Sequence, residues 1–187
     1  GQQVGLFGGP FYSVLKAASA LSAAEQLNKA GVPAVAVFWL ATEDHDLDEV
    51  KHALIPSGPG SLTKLESTSR GKHSAPVGQV RFSAEIDKLA SEAADLLGDP
   101  EIATWLRESY REGESFGSAF GKLFARVFRE RGLILLDMLD PQLHQIAAPV
   151  YVQALADADA INRKLLERGK SLRDGGYHEQ VRVTKES

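Results

Sequence analysis

The chain contains no cysteine among its 187 residues. Disulfides, thiolate metal sites and a cysteine nucleophile are therefore excluded, and a reducing cytosol is the compatible compartment. An excess of basic charge is also missing. The 21 Lys and Arg residues stand against 25 Asp and Glu, a formal charge of −4. That balance argues against a nucleic-acid footprint, which takes the form of a basic patch or stripe. No apolar run approaches the ~20 residues a membrane-spanning helix needs. The glycine-rich start is not followed by Gly-Lys-Ser/Thr, so it is not a Walker motif, and it makes no good dinucleotide fingerprint. There is no repeat and no low-complexity tract. Methionine occurs once, at Met138.

What is present points to an α/β fold. An apolar content of 43% and a charged content of 25% are ordinary for a globular domain, and the length suits one domain with a sizeable core. Residues 34–40 hold Val35, Val37, Phe38, Trp39 and Leu40 without a charge. Such a run reads as a strand buried on both faces, in a parallel sheet covered by helices. Glu43, Asp44, His45 and Asp46 follow at once, at the carboxyl end of that strand. In open α/β sheets this is the edge where ligands bind.

Upstream, residues 1–10 form a glycine-rich loop with Gly5, Gly8 and Gly9. The Ala/Leu-rich stretch 11–30 reads as a helix with Leu15, Ala18, Leu21 and Leu27 on its apolar side; Gly31 closes it. Free N–H groups and the positive end of the helix dipole make the loop a candidate cradle for phosphate or carboxylate. Downstream, 46–51 predicts a short helix and 55–61 a turn-rich break. Residues 62–68 and 77–82 read as short strands. Three helices follow: from Ser83 as cap, over about 100–112 with Ile102, Trp105, Leu106 and Tyr110 inward, and from Ser115 as cap with a Phe-rich face. Residues 133–137 predict a second buried strand. Asp140-Pro141 opens a further helix that Pro149 kinks or interrupts, and 180–183 reads as a last strand.

Several residue groups carry a chemical reading beside a structural one. Three carboxylates around one imidazole, Glu43–Asp46, suit acid–base work, with Asp44 and His45 as the catalytic or substrate-contact candidates. A solvated loop with a helix cap is the competing account, with Asp46 and Asp48 starting the short helix. Consecutive residues cannot all converge on one ion, so no metal site is predicted. Gln2 and Gln3 are amides suited to hydroxyl and carboxylate recognition. Tyr12 and Lys16 face a pocket or line the helix surface. Asp137 and Asp140 reach the same sheet edge as Glu43–Asp46 if the two strands are parallel. Trp39, Trp105 and the Phe-rich helix read as core. His52, His73, His144 and His178 read as isolated surface residues, and Ser115 has no histidine–acid partner in sequence for hydrolase chemistry.

Taken together, these stretches resemble the bacillithiol biosynthesis cysteine-adding enzyme family. The residues that carry the likeness are Gly1-Gln2-Gln3 with Gly8-Gly9-Pro10 and Tyr12, then Val37-Phe38-Trp39 with Glu43-Asp44-His45-Asp46. Ser115-Phe116-Gly117, the run 132–137 with Asp140-Pro141, Gly176-Tyr177 and Gln180-Val181 extend it along the chain. The resemblance implies a Rossmann-like core with an inserted α+β connecting segment. The boundaries expected are 1–49 and 132–187 for the core and 50–131 for the insertion. It implies a cytoplasmic ligase that adds cysteine to glucosaminyl malate by amide formation, in the last step of bacillithiol biosynthesis. A C-terminal coiled coil and a homodimer belong to the same expectation, for a longer enzyme of which this chain is a portion lacking its first strand. Small-molecule substrates, no nucleic acid and no membrane complete it. The substrate- or nucleotide-binding set is Gly1, Gln2, Gln3, Gly5, Gly8, Gly9, Tyr12, Glu43 and Asp137, with Asp44 and His45 catalytic. Amide synthesis requires an activated carboxyl, which a nucleotide would supply; the sequence identifies none. A nucleotidyl- or phosphoryl-transferase on the same fold and a noncatalytic binding module are the rival readings.

Overall fold

The computed structural model describes residues 1–72, 75–179, 181, 183 and 184. His73 and the strand expected over 180–183, through positions 180 and 182, lie outside the described residues. The chain forms two compact units, Gly1–Asp140 and Pro141–Ser187.

The first unit is built on a three-stranded parallel sheet in the order β1-β2-β5. Strand β1 is Gln2–Gln3, helix α1 is Tyr12–Lys29 and strand β2 is Ala36–Ala41. The expected loop over residues 1–10 is thus strand at Gln2–Gln3, paired with Leu40 and Ala41. Strand β5, Leu133–Asp137, lies parallel to β2, with Ala36 opposite Leu133 and Leu40 opposite Asp137. Helix α1 joins β1 to β2. The connection from β2 to β5 is instead the long segment 42–132.

Strand β2 is not buried on both faces. Ala36, Phe38 and Leu40 are buried, whereas Val37 and Trp39 are 46% and 45% exposed. Apolar residues on both faces hide the period-2 alternation from the sequence. The covered face packs on helix α5, Phe116–Val127, through a Phe38–Phe124 ring contact with centroids 5.1 Å apart. Trp39 is therefore on the open face and not in the core. Helix α1 also departs from expectation. Its buried positions are Ser13 and Ala17, one turn apart, while Leu15 and Leu27 are exposed. Small side chains let this helix lie close to β2.

Within the β2–β5 connection, helix α2 is Leu47–Val50, capped by Asp46, whose carboxylate accepts from the Glu49 N–H at 3.1 Å. Strands β3, His52–Gly58, and β4, Ser61–Glu66, form an antiparallel hairpin. The turn-rich break expected at 55–61 is largely strand, because Pro56 sits in a two-stranded ribbon where a missing N–H is tolerated and the ladder shifts beside it. Residues Val77–Gln79 form a 3-10 turn instead of a strand, and Arg81 makes only an isolated bridge to Ser115.

Helices α3, Glu85–Leu97, and α4, Pro100–Ser109, precede α5. Ser83 does not cap α3; its hydroxyl bonds Glu85 and Ala84 occupies the cap position. Asp99 caps α4, accepting from the Glu101 and Ile102 N–H groups. Ile102 is 37% exposed and lies off the inward face, whereas Leu106 and Tyr110 are buried. Ser115 and Ser118 form a capping box at the start of α5. Phe116, Phe120, Leu123 and Phe124 then bury one continuous stripe.

The second unit holds helices α6, Pro141–Ala156, and α7, Ala158–Asp174. Helix α6 runs through Pro149 and ends at Ala156. Among the described residues no helix is long and apolar enough to cross a membrane.

Candidate functional site

Parallel pairing brings the carboxyl ends of β1, β2 and β5 to one sheet edge, since Gln3 lies opposite Ala41 and Leu40 opposite Asp137. A cavity of about 410 Å³ opens at the β1 end of that edge. Its polar wall includes Gln2, Gln3, Glu49 and His52, and Gly5 and Gly9 supply backbone to it. Phe11, Val50 and Leu54 make the apolar side. A larger, shallower groove of about 780 Å³ runs along α4 and α5 beside Glu108, Arg111, Lys122 and Arg126. Two of its cations are already paired, Arg126 with Glu108 and Lys122 with Glu114. It also lies away from the strand ends, so the smaller cavity is the candidate site.

Gln3 organises the polar wall. Its Nε2 donates to Asp44 Oδ2 at 2.9 Å and to Glu49 Oε2 at 3.0 Å. Asp44 Oδ1 in turn accepts the Asp46 N–H at 2.9 Å. That backbone bond is the main influence on Asp44, and with Gln3 it holds the carboxyl below its usual range against the opposing effect of partial burial. Gln2 Oε1 accepts from Lys16 Nζ at 2.8 Å, and the same ammonium lies 5.0 Å from the centre of the Tyr12 ring. Tyr12 itself is exposed and does not line the cavity.

The glycine loop is shaped by its own hydrogen bonds. The Gly5 N–H donates to Gln3 O, the Gly8 N–H to Tyr110 Oη and the Gly9 N–H to Leu6 O. These three groups are therefore engaged, and the glycines at 5, 8 and 9 do not offer the free N–H groups of a phosphate cradle. Gly5 is needed for close approach instead: a Cβ there would stand 2.9 Å from Gly9 Cα. Gly8 faces inward, against Leu123 and Phe124 of α5.

Of the sequence-predicted residues, the cavity gathers Gln2, Gln3, Gly5 and Gly9, with Asp44 one hydrogen bond behind Gln3. Gly1, Glu43 and His45 are exposed and lie off its lining. Asp137 is held elsewhere on the same edge: its Oδ1 accepts from Thr42 Oγ1 at 2.6 Å and from the Leu139 N–H at 3.0 Å. Gly78 and Gly117 explain how Thr42 is fixed. A Cβ on Gly78 would meet Thr42 Cβ at 2.4 Å, and one on Gly117 would meet Gly78 O at 2.9 Å. Among the described residues no group of three or more His, Asp or Glu side chains is placed to hold a metal ion.

Glu49 and His52 were missed by sequence reasoning. His52 looks isolated along the chain, yet the single-turn α2 returns the backbone at once and brings both residues to the cavity. The one signal available was the brevity of the predicted helix 46–51.

A parallel sheet edge carrying a cavity beside a glycine-shaped turn defines a Rossmann-like α/β domain with a ligand site at its strand ends. The family model described as "Bacillithiol biosynthesis BshC, N-terminal Rossmann-like domain" matches residues 1–187, and the chain belongs to that family. A relative from Koribacter versatilis, named "Putative cysteine ligase BshC", is 49% identical over 187 residues, which is 100% of this chain and 35% of the relative. Relatives of the same name from Solibacter usitatus and Staphylococcus carnosus are 38% and 31% identical, each over 98% of this chain and 35% of their own length. The chain thus spans about a third of the curated relatives it matches.

Proposed function

We propose that this chain supplies the substrate cavity of a cytoplasmic ligase that joins cysteine to glucosaminyl malate, the last step of bacillithiol biosynthesis. The observation that carries the reading is similarity along the whole chain to relatives named as cysteine ligases, at up to 49% identity. The cavity suits the chemistry. Amide formation brings a carboxylate and an amine together and expels one water, so both must be oriented and solvent kept away. Glu49 offers a carboxylate to an ammonium or sugar hydroxyl, Gln2 offers its amide N–H to a carboxylate, Asp44 holds Gln3 in place behind the wall, and Phe11 and Leu54 supply apolar surface. His45, beside Asp44, is the acid–base candidate one loop position further out. Residues 50–131 act as an insertion into a core made of 1–49 and 132–187, and the complete enzyme is a homodimer.

The test is product formation by the full-length enzyme. Incubation with cysteine and glucosaminyl malate should yield the amide, detected by mass spectrometry. Adenylate or phosphate transfer without any dependence on cysteine would point to a transferase instead.

A further inference from the structure

Three consecutive residues of the glycine loop have left-handed backbone: Phe7 at φ 52°, Gly8 at φ 91° and Gly9 at φ 67°. For Phe7 this conformation carries a steric cost, which persists only where surrounding contacts impose it. Those contacts come from far along the chain. Tyr110, at the end of α4, is fully buried. Its hydroxyl accepts the Gly8 N–H at 2.9 Å and donates to Gly5 O at 3.3 Å. Its ring meets Phe7 edge-on, with centroids 4.9 Å apart, and packs on Phe82 at 5.7 Å. Burial also pushes the phenol's pKa well above its ordinary value, so the hydroxyl keeps the proton it donates.

Gly5 and Gly9, on either side of the Tyr110 contact, line the cavity; Tyr110 does not. We infer that Tyr110 is a positioning residue: it holds the loop 5–9 in the shape that forms the cavity wall, and so sets substrate affinity from the β2–β5 connection without touching substrate. This rests on the cavity being the substrate site. The hydroxyl satisfies one N–H and one carbonyl of the loop, so removing it takes away the partner of a buried group at Gly8 and of another at Gly5.

The test uses Tyr110→Phe in the full-length enzyme, with amide hydrogen exchange and steady-state kinetics. In wild type, the Gly8 amide should exchange as slowly as those of Phe38 and Leu40 in β2; fast exchange there overturns the inference even if the variant does not fold. In Tyr110→Phe, exchange over residues 5–9 should rise about tenfold, the order of one lost hydrogen bond, while 36–41 is unchanged. KM for a substrate should rise by about the same factor and kcat should hold, because no group that touches the reacting atoms has changed. Equal loosening of 5–9 and 36–41, or an unchanged KM beside a loosened loop, would make Tyr110 a core residue only and overturn the inference. If wild type does not add cysteine, the functional reading fails, while the exchange comparison still decides the role of Tyr110 in shaping the loop.

Discussion

At the residue scale, the tightest constraint at the sheet edge beside the site is a close approach that only glycine permits. Gly78 lies against Thr42, and its N–H donates to Thr42 O at 2.9 Å. Thr42 in turn holds Asp137. Gly78→Ala places a methyl carbon 2.4 Å from Thr42 Cβ, so backbone must move. The expected loss is about 1–3 kcal/mol, the usual cost of overpacking, read as a lower denaturation midpoint. Asp44 gives a pH signature. Its carboxyl is held below the usual range chiefly by the Asp46 N–H, so the charged form is favoured in the folded state. Stability from this group is present above the unfolded value of about 4 and is lost as pH falls through the lower folded value. Melting curves of wild type and Asp44→Asn should differ at pH 7 and converge as the pH drops below about 4. The Asp44 cluster was legible in the sequence as residues past a strand end, whereas Gln2 and Gln3 read as loop and are strand. Glu49, His52 and Tyr110 were not legible there, because each reaches the site only through tertiary folding.

At the element scale, the sequence showed where strands and helices exist better than which faces they bury. The β-rich run gave β2 and the Phe stripe gave α5, since each pattern is local. The open face of β2 was hidden because Val37 and Trp39 are as apolar as Phe38 and Leu40. Strand β3 was missed over 55–58 because Pro56 reads as a breaker, although a two-stranded ribbon accommodates it. Ser115 illustrates a motif residue whose observed contacts are those of a cap. Its hydroxyl accepts the Ser118 N–H at 3.1 Å, and the Ser118 hydroxyl accepts the Ser115 N–H at 3.0 Å. Ser115→Ala should cost about 0.5–2 kcal/mol of stability, measured by denaturant titration, and leave turnover per folded molecule unchanged. Lost turnover at full stability would give Ser115 a chemical role instead.

At the scale of the whole molecule, a parallel sheet edge, a short returning helix and a buried tyrosine from a distant helix converge on one cavity. The account stands or falls on whether that cavity is where cysteine is added. The direct measurement is amide formation from cysteine and glucosaminyl malate by the full-length enzyme, with Asp44→Asn compared to wild type and each melting curve recorded. Asp44 is tied to the cavity wall by Gln3, so its carboxylate should matter to the reaction well beyond its effect on stability. The expected loss is about 10–100-fold in kcat/KM, the order of one lost hydrogen bond to a charged group holding Gln3, in a protein that remains folded at the assay temperature. Wild-type turnover in Asp44→Asn would contradict it and return the acidic cluster to a solvated turn.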